Sequence, residues 1–160
     1  MSRFKEKIGN IIGIQQTAIC GFKPAEAAWS ESWQRGKSDP PRGFSFSAVR
    51  TSEGSYLLIY SVHFKSNLGS LPDDFAKREE ATRQLLDHEL AMENMYSKIN
   101  KVSIVIGGDF NTTPDDPRFA SEQTFSLLKN NFTWCWEGIA SSNRITIPGH
   151  GRYPDATFDG

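Results

Sequence analysis

The feature that most restricts what this chain can fold into is the run Val102-Ser103-Ile104-Val105-Ile106, which stops at Gly107-Gly108. β-Branched residues crowd a helix and suit a pleated sheet, and their succession without clean alternation predicts a short strand buried on both faces. Before it, Ala81, Leu85, His88, Met92, Met95 and Ile99 recur at three- and four-residue steps. That spacing predicts one long amphipathic helix from about Asp73 to Asn100, with the Asp73-Asp74 pair suited to the positive N-terminal end. Its Met and Tyr residues read as core packing, and its Arg/Glu face as solvated surface with i,i+4 pairs.

A core for such elements is available, because 160 residues at 38% hydrophobic and 23% charged content suit a single domain. The balance of 18 Lys+Arg against 19 Asp+Glu leaves a net charge of −1. No global basic field draws in nucleic acid, so a phosphate site must be built from local residues. The longest apolar stretches, such as Tyr56 to Tyr60, are of strand length and fall far short of the roughly 18 residues a membrane span requires. The N-terminus, MSRFKEKIGNIIGIQQTAI, is broken by charge, Gly and Gln before a signal-peptide core can form, and reads as no export signal. Cys20 and Cys135 lie far apart with no metal-ligand spacing and read as buried apolar fillers.

Residues 1 to 43 are polar and punctuated, with an apolar patch from Ile11 to Ile19 and a stretch bearing Trp29 and Trp33. Pro40-Pro41 imposes an extended approach to the next segment. Phe44, Phe46 and Ala48 alternate with Ser45, Ser47 and Val49, Thr51 to Ser55 supplies turn chemistry, and Tyr56 to His63 is β-rich, which predicts an antiparallel hairpin. Beyond Ile106 the expected elements are a loop with Pro114 and Pro117, a short helix over about Ser121 to Lys129, a strand at Trp134-Cys135-Trp136 and a last strand beginning near Ala156.

Two constellations can carry chemistry. Gly107-Gly108-Asp109-Phe110-Asn111-Thr112 follows a buried strand, where open α/β sheets commonly place ligand sites. Alternation directs Asp109 and Asn111 to one face and Phe110 into the core. A carboxylate can hold or deprotonate water and a carboxamide can donate to a phosphate oxygen, while the glycines leave room for a bulky anion. Equally, Asp109 and Asn111 can simply form Asx-turns leaving the strand. The second constellation, His63-Phe64-Lys65-Ser66-Asn67, aligns His63, Lys65 and Asn67 at another strand end as a phosphate-binding row, against the plainer reading of an ordinary strand-end His. His88 reads as the edge of an apolar helix face and His150 as a loop residue, while Asp155 and Asp159 bracket the last strand.

The segments Ser61-Val62-His63-Phe64-Lys65-Ser66-Asn67, Ile106-Gly107-Gly108-Asp109-Phe110-Asn111-Thr112-Thr113-Pro114 and Ala156-Thr157-Phe158-Asp159 resemble, in order and spacing, the endonuclease/exonuclease/phosphatase superfamily. The resemblance spans most of residues 44 to 160. It implies the deoxyribonuclease-I-like fold, a four-layer α/β/β/α sandwich, and hydrolysis of phosphate esters with Mg2+ or Mn2+. It further implies that His63 contacts phosphate, Asp109 positions the attacking water and contacts the metal, Asn111 hydrogen-bonds the scissile phosphate, and Asp159 orients a catalytic histidine. Lys65 and Asn67 would complete the substrate-binding row.

Three parts of the family pattern are not matched: an early asparagine, a metal-binding glutamate in a QE-like setting, and a terminal Asp-His pair. Glu6 and Glu26 are poor substitutes by context. Residues 1 to 160 are therefore expected to form a single partial domain, incomplete at both ends and itself inactive, with exposed strand edges that favour instability or association. The alternative is a non-catalytic binding module on the same scaffold. An unrelated metallophosphatase fits less well, since only three unclustered His are present. The family includes nucleases, phosphoinositide phosphatases and sphingomyelinases; a nuclease or general phosphodiesterase is the expectation, with Lys65, Arg78 and Arg118 as local bases along a groove. No protein partner is evident, and location is left open.

Overall fold

Alternation of aromatic with small polar residues builds the centre of the molecule. The computed structural model describes residues 17–21, 24–34, 38–98, 100–151 and 154–160, with the backbone of 7–8 and 11–12. Strands β1 (Lys7–Ile8) and β2 (Ile11–Ile12) pair with each other. The main sheet comprises β3 (Ala27–Ser32), β4 (Gly43–Ser52), β5 (Ser55–His63) and β6 (Lys101–Asp109), in that spatial order. The first three are antiparallel, and β5 and β6 run parallel. Glu6, residues 13–16 of the Ile11 to Ile19 patch and most of the segment read against an export signal lie outside the described residues.

The expected hairpin is β4–β5, closed at Glu53-Gly54 where Gly54 takes a φ of +67° that suits a tight turn. A parallel partner needs a crossover, and the helix α1 (Leu71–Tyr96) supplies it. It begins after Ser70 with Pro72 in its first turn and stops four residues short of Asn100, whose Nδ2 donates to the Tyr96 carbonyl at 3.0 Å. Ala81, Leu85 and Met92 bury against Phe44, Phe46, Leu58, Tyr60 and Val62 in one core. Met95 is instead exposed, and Ile99 lies outside the described residues. The charged side of the helix is not uniformly solvated, because Asp74, Arg78 and Glu89 are buried.

Several other expectations are corrected. Only one face of β6 is covered among the described residues: Val102, Ile104 and Ile106 pack on the core while Val105 is 50% exposed. The four-stranded sheet, the β1–β2 pair and the helices agree with the expected sandwich, incomplete at its ends. Residues 134–136 form a turn, with the amide of Glu137 donating to the Trp134 carbonyl, because the Trp134 ring packs on Phe110 and Phe125. The expected last strand is reduced to isolated bridges, Ile147 with Ala156 and Asp109 with Asp159. Both Cys20 and Cys135 are exposed. Helix α2 (Thr124–Leu128) lies within the stretch expected to be helical and buries Phe125 and Leu128.

Candidate active site

Parallel pairing of β5 with β6 places His63 directly beside Asp109, because both are the last residues of their strands and register partners. The imidazole Nε2 lies 3.5 Å from Asp109 Oδ2, with both side chains partly sheltered. The strand ends are tied by the amide of Phe64 donating to the Asp109 carbonyl at 2.9 Å. Gly108 makes the approach possible: at φ +136° its missing Cβ would collide with the Val62 carbonyl. This glycine thus makes room for the neighbouring strand rather than for an anion.

Asn111 reaches the site by a turn, not by strand alternation. β6 ends at Asp109, and Asn111 at φ +53° curls back so that its amide donates to Asp109 Oδ1 at 2.8 Å. Its Nδ2 donates to the Phe64 carbonyl at 3.1 Å, while Phe110 turns into the core. The Asx-turn and the functional constellation are therefore built from the same residues. Asp159 forms a backbone bridge to Asp109, and its charge acts on both Asp109 and His63.

Arg42 is the site residue that motif reading missed. It precedes β4, whose first residues lie opposite the end of β5 in the antiparallel pair, so it is delivered to the same end of the sheet. It donates to the Phe64 carbonyl at 2.6 Å. The signal was present in the hairpin register, where Phe44 faces Val62, but not in any local motif.

Electrostatics follow from burial and these neighbours. Burial, reinforced by the Arg42 charge, holds the His63 imidazole below its ordinary pKa against the opposing pull of Asp109 and Asp159. Burial pushes the Asp109 carboxyl up, opposed by the Asn111 amide and by His63. A neutral imidazole beside a carboxylate of raised basicity suits proton transfer to and from water.

The rest of the expected row turns away. The Lys65 ammonium pairs with Asp74 Oδ1 at 2.8 Å, and Asp74 also accepts the Gly69 amide. Asn67 accepts from Arg78 through Oδ1 and donates through Nδ2 to the Asn111 carbonyl at 2.7 Å. Arg78 does not line a groove, being fully buried, and Arg118 is bidentate to Asp116. Asp155 accepts the Gly149 amide, His88 on α1 packs its ring against Phe44 of the sheet, His150 is exposed on its loop, and Glu26 is engaged by Tyr56. Among the described residues no three His, Cys, Asp or Glu side chains converge as a metal site. Asp109 accepts a backbone amide at one oxygen and faces His63 at the other, far from the oxygen-rich shell that Mg2+ or Mn2+ requires. The residues described do not by themselves fit the implied ion.

No family model matches the chain, and no curated protein matches it. Among solved structures, SmcL superposes with a TM-score of 0.50 at 19% identity, over 86% of this chain and 50% of that one. Sphingomyelinase C from Streptomyces griseocarneus gives 0.40 at 20% identity over 51% and 27%, and beta toxin from Staphylococcus aureus 0.40 at 21% over 54% and 28%. The chain spans about half the length of SmcL, and the fold assignment rests on that superposition. Its fold is deoxyribonuclease-I-like, in agreement with the expected class. Among the described residues no helix is long and apolar enough to cross a membrane.

Proposed function

From a chain with one sheet of a deoxyribonuclease-I-like fold and a His63–Asp109 pair at paired strand ends, we propose a hydrolase of phosphate diesters. The observation that carries the proposal is the 3.5 Å approach of His63 to Asp109 beside Arg42 and Asn111. The Arg42 guanidinium and His63 imidazole attract and hydrogen-bond the phosphate oxygens. The Asp109 carboxylate holds the attacking water and takes its proton as the new P–O bond forms and the ester P–O bond breaks, the leaving alcohol oxygen taking up a proton from solvent water. Asn111 presents its carboxamide to a non-bridging oxygen, and Asp159 biases the charge of the pair.

The near-neutral charge argues against an extended nucleic acid as substrate. A second reading, a module that binds phosphate esters without turning them over, is favoured by the lack of a converged metal-ligand set among the described residues.

The test is titration of the chain with dimethyl phosphate by NMR, together with hydrolysis of bis-p-nitrophenyl phosphate, sphingomyelin vesicles and duplex DNA with and without Mg2+. The expected outcome is binding that shifts His63 and Asn111, and diester hydrolysis that falls at least about 100-fold in Asp109→Ala. Binding without turnover selects the second reading. Neither binding nor Asp109-dependent turnover would refute both.

A further inference from the structure

Arg78 is fully buried in the second turn of α1, and each nitrogen of its guanidinium has a defined partner. Nε and Nη2 donate to the two oxygens of Glu122 at 2.8 and 2.7 Å, and Nη1 donates to the Lys65 carbonyl at 2.8 Å and to Asn67 Oδ1 at 2.9 Å. A buried ion pair is a poor stabilising device, because desolvation of both charges offsets their attraction and well-packed apolar residues do as well. The third nitrogen is what an apolar replacement would lack: it grips the turn that leaves β5 immediately after His63.

From there the contacts converge on one residue. Asn67, held by Arg78, donates to the Asn111 carbonyl at 2.7 Å, while Glu122, held by the same guanidinium, accepts from Thr112 Oγ1 at 3.0 Å. Asn111 is thus held on both sides, through its own carbonyl and through the next residue. Its left-handed backbone, with no glycine to make that conformation easy, needs such restraint. Arg78 has no exposed surface with which to meet a ligand.

We infer that Arg78 is a positioning residue of this site, locking the loop after His63 to the loop after Asp109 and thereby aiming Asn111. Its effect on turnover rests on the proposed hydrolase reading, whereas its effect on Asn111 does not.

The experiment compares wild type with Arg78→Met/Glu122→Leu, which replaces the buried pair with apolar groups of similar size, with Arg78→Lys, and with Asn67→Ala, which cuts the link without touching the pair. The carboxamide and backbone NMR signals of Asn111 are followed against those of Phe46 and Tyr60 in the sheet, along with kcat and KM for bis-p-nitrophenyl phosphate. Displaced Asn111 signals with an undisturbed sheet are expected in all three variants, because one ammonium cannot reproduce a four-bond guanidinium. A fall in kcat of about 10- to 100-fold with KM changed by less than about threefold accompanies it. Unmoved Asn111 signals in the folded double variant, or in Asn67→Ala should the double variant fail to fold, overturn the inference. Moved signals with unchanged kcat overturn its catalytic part. A wild-type chain without turnover refutes the hydrolase reading alone, and the Asn111 signals still decide the positioning.

Discussion

At φ +53° Asn111 adopts a backbone conformation that costs most L-residues about 1 kcal/mol or more and glycine almost nothing. Its side chain offsets that strain by donating to the Phe64 carbonyl, and its amide caps Asp109. Strain and function therefore separate by substitution. Asn111→Gly and Asn111→Ala both lose the carboxamide, and both should bind dimethyl phosphate more weakly. Asn111→Ala should unfold in urea at lower stability than Asn111→Gly by about 1 kcal/mol. Equal stability of the two variants would show that the turn tolerates a Cβ and that the left-handed geometry is not a restraint on the site.

Helix α1 is tied to the sheet and to the loop after β5 by polar contacts along its length. Near its start Asp74 holds Lys65 and the Gly69 amide, while one turn on Arg78 holds the loop beyond β5. Further along, His88 sits among Trp29, Phe44, Phe46 and Tyr60, with its Nδ1 3.0 Å from the Tyr60 hydroxyl and its Nε2 3.8 Å from Glu31. Burial holds the His88 imidazole below its ordinary value, and Glu31 only partly opposes this. The unfolded chain then binds a proton at a pH where the folded chain does not, so stability rises with pH across that window. The contribution of neutral His88 is complete above about pH 6.5 and is lost as pH falls from there toward the depressed folded value. His88→Gln, which can still meet the Tyr60 hydroxyl, should flatten part of the stability loss measured between pH 7.5 and 5.5. A slope identical to wild type would remove His88 as a source of acid sensitivity; His63, also held below its ordinary value, acts in the same direction, while Asp109 and Glu89, both pushed up by burial, act against it.

In the whole molecule the helix covers one face of the sheet, and the opposite face is unevenly protected. Near β3 and β4 the segment around Thr17 lies across it, with Thr17 Oγ1 2.8 Å from Ser45 Oγ. At β6 Val105 is half exposed, and among the described residues the β6 edge is paired only at its end, by Phe158 to Gly160. An exposed Val105 beside a strand edge left largely unpaired among the described residues is a site for edge-to-edge association. The 160-residue chain should therefore show concentration-dependent mass in sedimentation equilibrium, and Val105→Lys should shift it toward monomer. A wild-type chain that stays monomeric to about millimolar concentration would mean that Val105 and the β6 edge do not drive association.

Much of this was legible along the chain. Periodicity located the hairpin, the long helix and the strand before Gly107-Gly108, because those patterns report which side of a regular element meets a core. The same logic placed His63 and Asp109 at strand ends, and two parallel neighbours that end in register bring such residues together. What the sequence could not determine was set by contacts between distant segments. Lys65 and Arg78 look like surface bases until Asp74 and Glu122 are folded against them. Arg42 belongs to the site only through the register of β4 on β5, and residues 134–136 abandon their β-propensity because Trp134 packs better on Phe110 and Phe125. Local propensity amounts to a few tenths of a kcal/mol per residue, roughly, whereas a buried aromatic contact or an unpaired buried charge amounts to several, so the tertiary partner prevails wherever the two disagree.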